Sequence, residues 1–279
     1  NGAGKLMVKK LLARGYVLVL LLLVYLPIFI LIVFSFTDSS NVGVWNGFSF
    51  DLYVRLFQNQ EALTALGNTL LLAVSSALVS TVLGTLGAIG VFYSKKKFRK
   101  AMEMASQLPI INAEVVIALS LAVLFVAVSI QRGFFTLLVG HVVLTIAFVF
   151  LSVKPKLQQM DPNTYEAALD LGATPNYALT HVVIPEILPG ILSGFMLAMT
   201  LSLDDFIITT FLRNVEFETL STYVYAKLRN MSHFPHELRA LTTLVFVFAI
   251  LILLINNYIS TKEASRKANV LLQKRRKQL

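Results

Sequence analysis

Apolar residues run in six long blocks, at approximately 16–36, 68–93, 105–130, 134–153, 187–212 and 241–259, with polar stretches between them. A hydrocarbon core about 30 Å thick is crossed by ~20 residues of α-helix. Lipid offers the backbone no hydrogen-bond partner, so the element these blocks predict is the helix, which bonds internally. The expectation is an all-α integral membrane protein with six transmembrane helices. The first block exceeds the ~7–15 apolar residues of a signal peptide and no small-residue cleavage site closes it, so it is read as a span. In the second block Ser76, Ser80, Gly84 and Ala88 recur every four residues. That spacing makes a small-residue face which another helix can approach closely, and Gly87 and Gly90 are expected to broaden it.

Two connections are too long for simple turns. The stretch 37–67 holds the only tryptophan, Trp45, shows few strong helix signals, and is expected to lie along the outer surface. The stretch 213–240 is polar, with Tyr223 and Tyr225 among charges, and suits packing against a partner outside the membrane. Orientation follows from Lys and Arg, which are retained on the cytoplasmic side. With the N-terminus inside, eighteen of the 24 basic residues fall on inner segments, including 95–100, Lys154, Lys156 and seven after Ser260. The outer segments hold six: Arg55, Arg132, Arg213, Lys227, Arg229 and Arg239. Both termini are therefore expected in the cytoplasm. Residues 1–15 form a cytoplasmic N-terminus, 16–260 the six-helix domain and 261–279 a basic cytoplasmic tail. Asn1 cannot initiate translation and Met7 is a candidate native start, so residues 1–6 are read as a candidate expression remnant.

Composition supports this picture and narrows the chemistry. Of 279 residues, 56% are hydrophobic and 14% charged, against about 25% charged in soluble domains. Cysteine is absent, which excludes disulfides, thiolate metal sites and thiol catalysis. The net charge of +9 is assigned to membrane topology rather than to nucleic acid. Gly2-Ala3-Gly4-Lys5 resembles part of a phosphate loop, but Leu6 stands where Ser or Thr is required and the upstream glycine is missing. No His-Glu-x-x-His or Gly-x-Ser-x-Gly motif occurs, so no catalytic and no metal site is expected.

The inner loop 154–186 carries the sharpest local signals. Asp161 is placed to N-cap a helix, with Pro162 in its first turn. Residues 165–171 predict a short helix of strong formers, ended by Gly172 in the left-handed conformation. Residues 176–183 predict a second short helix, stopped by Pro185. Two short helices joined at a glycine make a projection able to dock into another protein. Here a resemblance becomes specific. Glu166-Ala167-Ala168, then three residues and Gly172, and then Ile184-Pro185 resemble the coupling loop of ABC importer permeases. That resemblance implies a type I ABC importer permease fold. It also implies that Glu166, Ala167, Ala168, Asp170, Gly172, Val182, Ile184 and Pro185 couple to an ATPase subunit. Val182 and Ile184 depart from the usual Ile and Leu but remain branched and apolar.

Three acidic residues fall inside predicted spans: Glu114 in the third, Asp204 and Asp205 in the fifth. A central Asp costs about 2.5–3.5 kcal/mol even on insertion scales, so such residues are candidates for a transport pathway. No Lys or Arg sits at comparable depth to pair with them, which favours a cationic cargo. Rise along the helix puts Glu114 near mid-membrane, although Pro109 and Asn112 before it also suit a helix break. Adjacent helical residues point about 100° apart, so one Asp is expected on the pathway and the other in a cap or a hydrogen bond. Phe206, Tyr223 and Tyr225 are candidates for cation–π contacts. His141, beside Gly140, is read as a packing or hydrogen-bonding residue with a pathway role as the alternative, and Asn256 and Asn257 as interfacial.

Leu201-Ser202-Leu203-Asp204-Asp205-Phe206 is similar to a stretch of the spermidine/putrescine importer permeases of the PotC/PotI type. Ala118-Leu119-Ser120-Leu121 and the segment with Pro235, Glu237, Ala240 and Leu241 share in the likeness. The resemblance implies a permease subunit passing polyamines, in a bacterial inner membrane, and four kinds of partner. They are a cytoplasmic ATPase homodimer (PotA-type) that holds ATP and Mg, a second permease (PotB-type), an extracytoplasmic polyamine-binding protein (PotD-type) and the lipid bilayer. Two alternatives stay open: an ABC importer permease for another small solute, and a stand-alone cation transporter.

Overall fold

A computed structural model describes residues 2–39, 43–229, 236, 238–251, 254, 255 and 258. Among these residues every regular element is helical. The order is α1 Gly2–Phe34, α2 Asp51–Gln58, α3 Gln60–Phe92, α4 Lys96–Ala105, α5 Leu108–Ile111, α6 Glu114–Ala127, α7 Phe134–Gln159, α8 Pro162–Asp170 and α9 Pro175–Ala178. A π-helical turn, Leu179–Val183, leads into α10 Ile184–Asp204, followed by α11 Ile207–Leu212 and α12 Leu220–Arg229. A further apolar helix, α13, spans Leu238–Leu251. The predicted Pro235 and Glu237, Asn256 and Asn257, and the tail 261–279 lie outside the described residues.

Among the described residues four helical stretches are long and apolar enough to cross a membrane: Arg14–Phe34, Gln60–Phe92, Phe134–Gln159 and Pro175–Asp204. The third predicted span, 105–130, is not one straight helix. Lys96–Ile111 and Glu114–Ala127 meet at a bend of 100°. Asn112 and Ala113 between them are extended, with ψ of 141° and 134°. The sixth block is represented by the shorter α13.

The chain divides into two compact units, one of residues 1–63 and 227–248, the other of 64–226 and 249–279. In the first, the 14–34 stretch of α1 has none of its most apolar window buried, as a lipid-facing helix requires. Its end is closed by polar groups. Ser35 Oγ donates to Ile32 O and Arg239 donates to Phe34 O and Ser39 O. A buried guanidinium suits a helix C-terminus, where carbonyl dipoles converge. The loop after it is not featureless, contrary to expectation. It contains α2, whose Leu52 and Leu56 are buried, and a cluster of Phe36, Phe48, Phe50 and Tyr53 with ring centroids 5.0–6.2 Å apart.

The second unit is built on α3, α7 and α10. Their shared core contains Ala77, Ala88, Ile89, Val149, Phe150, Val153, Leu157, Val183, Ile187 and Ala198. A second cluster of Leu72, Ala118, Ala122, Phe125, Leu137, Leu144, Ile208 and Leu212 joins α6 and α11 to α3 and α7. The small face of α3 is where α7 approaches. A Cβ placed on Gly84 would lie 2.8 Å from Val149 Cβ, and Ser76 and Ser80 are fully buried. Gly87 and Gly90 do not widen this face. Both are exposed with nothing within 4 Å of an added Cβ, because the helix has turned them outward.

This difference gives a paired test. Gly84→Leu is expected to lower the thermal midpoint of the purified chain in detergent, because overpacking costs about 1–3 kcal/mol. Gly87→Leu is expected to leave it unchanged. Equal midpoints, followed by circular dichroism, would contradict the packing described.

Candidate functional site

The loop after α7 folds as a rooted projection. Asp161 caps α8, accepting from Asn163 N at 3.0 Å, and Pro162 takes the first helical position. Gly172 has φ of +88°. Gly172 N donates to Leu169 O at 2.9 Å and Ala173 N to Ala168 O at 3.1 Å, the paired bonds of a glycine-terminated helix. Thr174 then starts α9, accepting from Tyr177 N. The root is apolar: Ala178, Val183 and Ile187 are fully buried, and the Tyr165 ring lies 5.1 Å from that of Tyr93 at the end of α3. The tip exposes Glu166, Ala167, Asp170, Leu171 and Gly172. Leu171 is 90% exposed, an apolar side chain offered outward at the turn.

Pro185 does not stop the second short helix, as the sequence had suggested. The chain continues as one helical stretch, Pro175–Asp204. A proline lacks the N–H that would reach back four residues. The π turn before it absorbs the defect: Ile184 N donates to Leu179 O, five residues back. Val182 and Ile184 are half-buried there and Pro185 is exposed. The backbone of the knob thus runs without a break into the helix that ends at Asp204.

The fifth predicted span breaks at that point. Asp205 is extended, with ψ of 127°, and the chain resumes as α11. The two adjacent aspartates part company. Asp205 is 7% exposed and turns inward, accepting from Ile208 N at 3.2 Å, Thr209 N at 2.8 Å and Thr209 Oγ1 at 2.9 Å. It supplies the freed amides of α11 with an acceptor. Asp204 is exposed.

A chain of polar groups supports the break from behind. Ser76 Oγ on α3 donates to Ser202 Oγ at 2.9 Å. Ser202 Oγ lies 2.6 Å from His141 Nδ1, and His141 Nε2 lies 3.1 Å from Thr209 Oγ1 and 3.4 Å from Asp205 Oδ2. Each hydroxyl has one proton. With Ser76 donating to Ser202 and Thr209 to Asp205, Ser202 donates to Nδ1 and the imidazole carries its proton on Nε2. Every donor then has an acceptor, as a buried network requires. Thr145 Oγ1 donates to His141 O and contacts Ser80 Oγ at 2.7 Å. His141 is fully buried, so it belongs to the fold of the break rather than to an open channel.

Around Asp204 the electrostatics are negative. Asp204 ends the 21-residue helix α10, where the terminal carbonyls have no helical donors and the dipole is negative. Glu114 is exposed in the first turn of α6, close enough for its charge to interact with those of Asp205 and Asp204. Among the described residues neither Glu114 nor Asp204 has a basic partner. The half-buried Phe206 ring lies 4.7 Å from that of Tyr225, which is 53% exposed. Tyr223 is different: at 1% exposure it is a core residue. Asn68 Nδ2 bonds Glu218 O and Leu220 N bonds Thr69 Oγ1, tying this segment to α3.

Residues 2–261 match the family described as binding-protein-dependent transport system inner membrane component. The chain belongs to that family. The permease is 30% identical, over 90% of its length and 97% of the relative's, to the spermidine/putrescine transport system permease protein PotC of Haemophilus influenzae. It is 32% identical to PotC of Escherichia coli K12, over 91% of its own length and 96% of that protein. To the putrescine transport system permease protein PotI of the same organism it is 35% identical, over 79% of its length and 80% of the relative's. Its fold is that of a chain from a bacterial ABC transporter involved in import of the acidic polysaccharide alginate. The TM-score is 0.70 at 21% identity, with 90% of this permease and 95% of that chain covered.

Within the permease, the residues singled out by sequence fall into three sets. Glu114, Asp204, Phe206 and Tyr225 gather near the break, whereas Asp205 and Tyr223 are buried beside it. The eight residues that the resemblance assigns to coupling occupy the knob and its root. Glu114 does not sit inside a straight helix but at its start, because Asn112 and Ala113 are extended. Leu171 went unrecognised, whereas His141 was read as a packing or hydrogen-bonding residue but without its partners. An apolar residue just before a helix-ending glycine was the signal for the first. The second needed the partners Ser202, Thr209 and Asp205, which are distant in sequence.

Asp205→Ala is expected to destabilise the purified permease by about 1–2 kcal/mol, the usual worth of a lost cap, and Asp204→Ala by much less. In a double-mutant cycle with His141→Ala, Asp205→Ala is expected to be non-additive, as for groups sharing one network. Additive thermal shifts would dissolve the network.

Proposed function

We propose that the chain is the permease subunit of an ATP-driven polyamine importer, and that spermidine or putrescine passes the break between α10 and α11. The reading rests on one observation: Asp204 at the negative end of α10 and Glu114 in the first turn of α6 stand exposed, within reach of each other's charge, and among the described residues neither has a cationic partner. Carboxylates in an apolar span are costly, and a diamine or triamine brings ammonium groups that neutralise more than one of them along its length. The C-terminal end of a broken helix is a recurrent place for cations in transporters. Phe206 and Tyr225 add aromatic faces for an ammonium group. The names of the PotC and PotI relatives point to the same cargo.

The partners follow from the two ends of the pathway. The α8 knob docks on a cytoplasmic ATPase dimer, which holds ATP and Mg; this chain contributes no nucleotide site. A second permease completes the pathway, and an extracytoplasmic binding protein delivers the polyamine. The permease then lies in the bacterial inner membrane, with the knob and both termini in the cytoplasm, as the Lys and Arg distribution favours. Docking moves α10 because the π turn joins knob and helix without a break.

With the importer reconstituted in vesicles, Asp204→Asn and Glu114→Gln are each expected to reduce spermidine uptake about tenfold. That corresponds to one charge-assisted hydrogen bond of about 1.5–3 kcal/mol. Complex assembly, read by co-purification, stays intact. Wild-type uptake by both variants would remove the carboxylates from the pathway.

Gly172→Val places a β-branched side chain at φ of +88°, a conformation such residues rarely adopt. It is expected to leave membrane insertion unchanged and to abolish the stimulation of ATP hydrolysis by substrate-loaded binding protein. Unchanged stimulation would argue against the knob as the coupling element.

A further inference from the structure

Helix α4 is built the wrong way round for water. On a helical projection Phe98, Ala101, Met102 and Ala105 share one face, and Lys96, Arg99, Lys100 and Glu103 the other. The polar face is the one packed on the protein. Glu103 pairs with Lys154 of α7 at 3.1 Å, and the Arg99 guanidinium lies 6.0 Å from the Phe92 ring. The apolar face looks outward: Phe98 is 56% exposed, and Met102, Leu108 and Ile111 beyond it are also exposed. A helix at a protein–water boundary shows the reverse arrangement.

The direction of α4 is equally telling. The stretch containing it meets α6 at 100°, so when α6 crosses the bilayer α4 lies along its surface. Lys95, Lys96, Lys97 and Lys100 are exposed, Lys97 at the edge of the apolar face and Lys96 and Lys100 on the part of the polar face that the protein leaves open, and among the described residues none has an acidic partner. The ion pair with Lys154 puts α4 at the same end of the unit as the knob. An apolar face flanked by lysines is the pattern of a helix seated in the headgroup layer, with stems in the apolar zone and ammonium groups at the phosphates.

We propose that α4 is an interfacial anchor that binds anionic phospholipid headgroups, with its Phe98/Met102 face in the acyl boundary. The charge decides for lipid over a protein partner: four exposed lysines clustered in the first turns of a helix with an outward apolar face complement a continuous anionic surface. The anchor precedes the bend of the third span, where the extended Asn112 and Ala113 lead into α6 at Glu114. The inference is independent of which solute is carried.

The chain has no cysteine, so Met102→Cys gives a single labelling site within it. A nitroxide there, in the full importer with partner cysteines removed and held in nanodiscs, reports its surroundings by collision with oxygen or with a water-soluble nickel chelate. Oxygen is expected to dominate. Replacing zwitterionic by anionic lipid is expected to raise the oxygen-to-nickel ratio. The variant carrying Lys96→Gln, Lys97→Gln and Lys100→Gln is expected to lose that response, since each lysine near an anionic surface is worth on the order of fivefold in partition. Nickel access in every lipid would place α4 in water. Protection from both reagents would mean that a protein partner covers the face. A lipid response equal in the triple variant would remove the lysines from headgroup binding. Each of the three results overturns the proposal.

Discussion

A helix that breaks inside a membrane must find partners for the backbone groups it releases, because lipid supplies none. In this permease the requirement is met at one residue. Asp205 accepts the amides of Ile208 and Thr209 and so permits α10 to end and α11 to begin within an apolar bundle. The carboxylate is tolerated because Thr209 donates to it and His141 lies beside it. Ser202 and Ser76 extend the chain of donors to α3. Four helices are thus pinned around a discontinuity that none of them could hold alone.

The break in turn creates the electrostatic feature on which the functional reading rests. Had α10 continued, the carbonyls of its last turn would be bonded to following amides and Asp204 would point from the side of a regular helix. Ending it there combines a negative helix terminus with an exposed carboxylate. The bend before α6 brings Glu114 toward the same place, at a helix start rather than mid-helix. Two discontinuities, one at Asn112–Ala113 and one at Asp205, therefore serve one locality. The remaining local departure from regular helix, the π turn at 179–183, does the opposite: it preserves continuity between knob and span.

Much of this was legible in the chain. The apolar blocks found the four long helices and the bent pair at the third block, and Asp161, Pro162 and Gly172 found the ends of α8, because caps and left-handed glycines act over one or two residues. The similarity of the coupling stretch and of Leu201–Phe206 found the family. The boundaries were less accurate where a long loop hid a short amphipathic helix, as with α2. They also failed where proline suggested a stop at Pro185 that a change of hydrogen-bond register removed.

By itself the sequence determined that the chain is a helical membrane protein with a short helical projection ended at Gly172 and with acidic residues in its apolar blocks. Hydrophobic period, charge placement and capping are properties of neighbouring residues and can be read along one strand of text. Tertiary structure alone decided that Asp205 is structural and Asp204 open, and that Tyr223 is core while Tyr225 is surface. Only it showed that the apolar face of α4 turns away from the protein. Adjacent side chains diverge by about 100° on a helix, so which one meets His141, 64 residues away in the chain, depends on how the helices pack and not on local order.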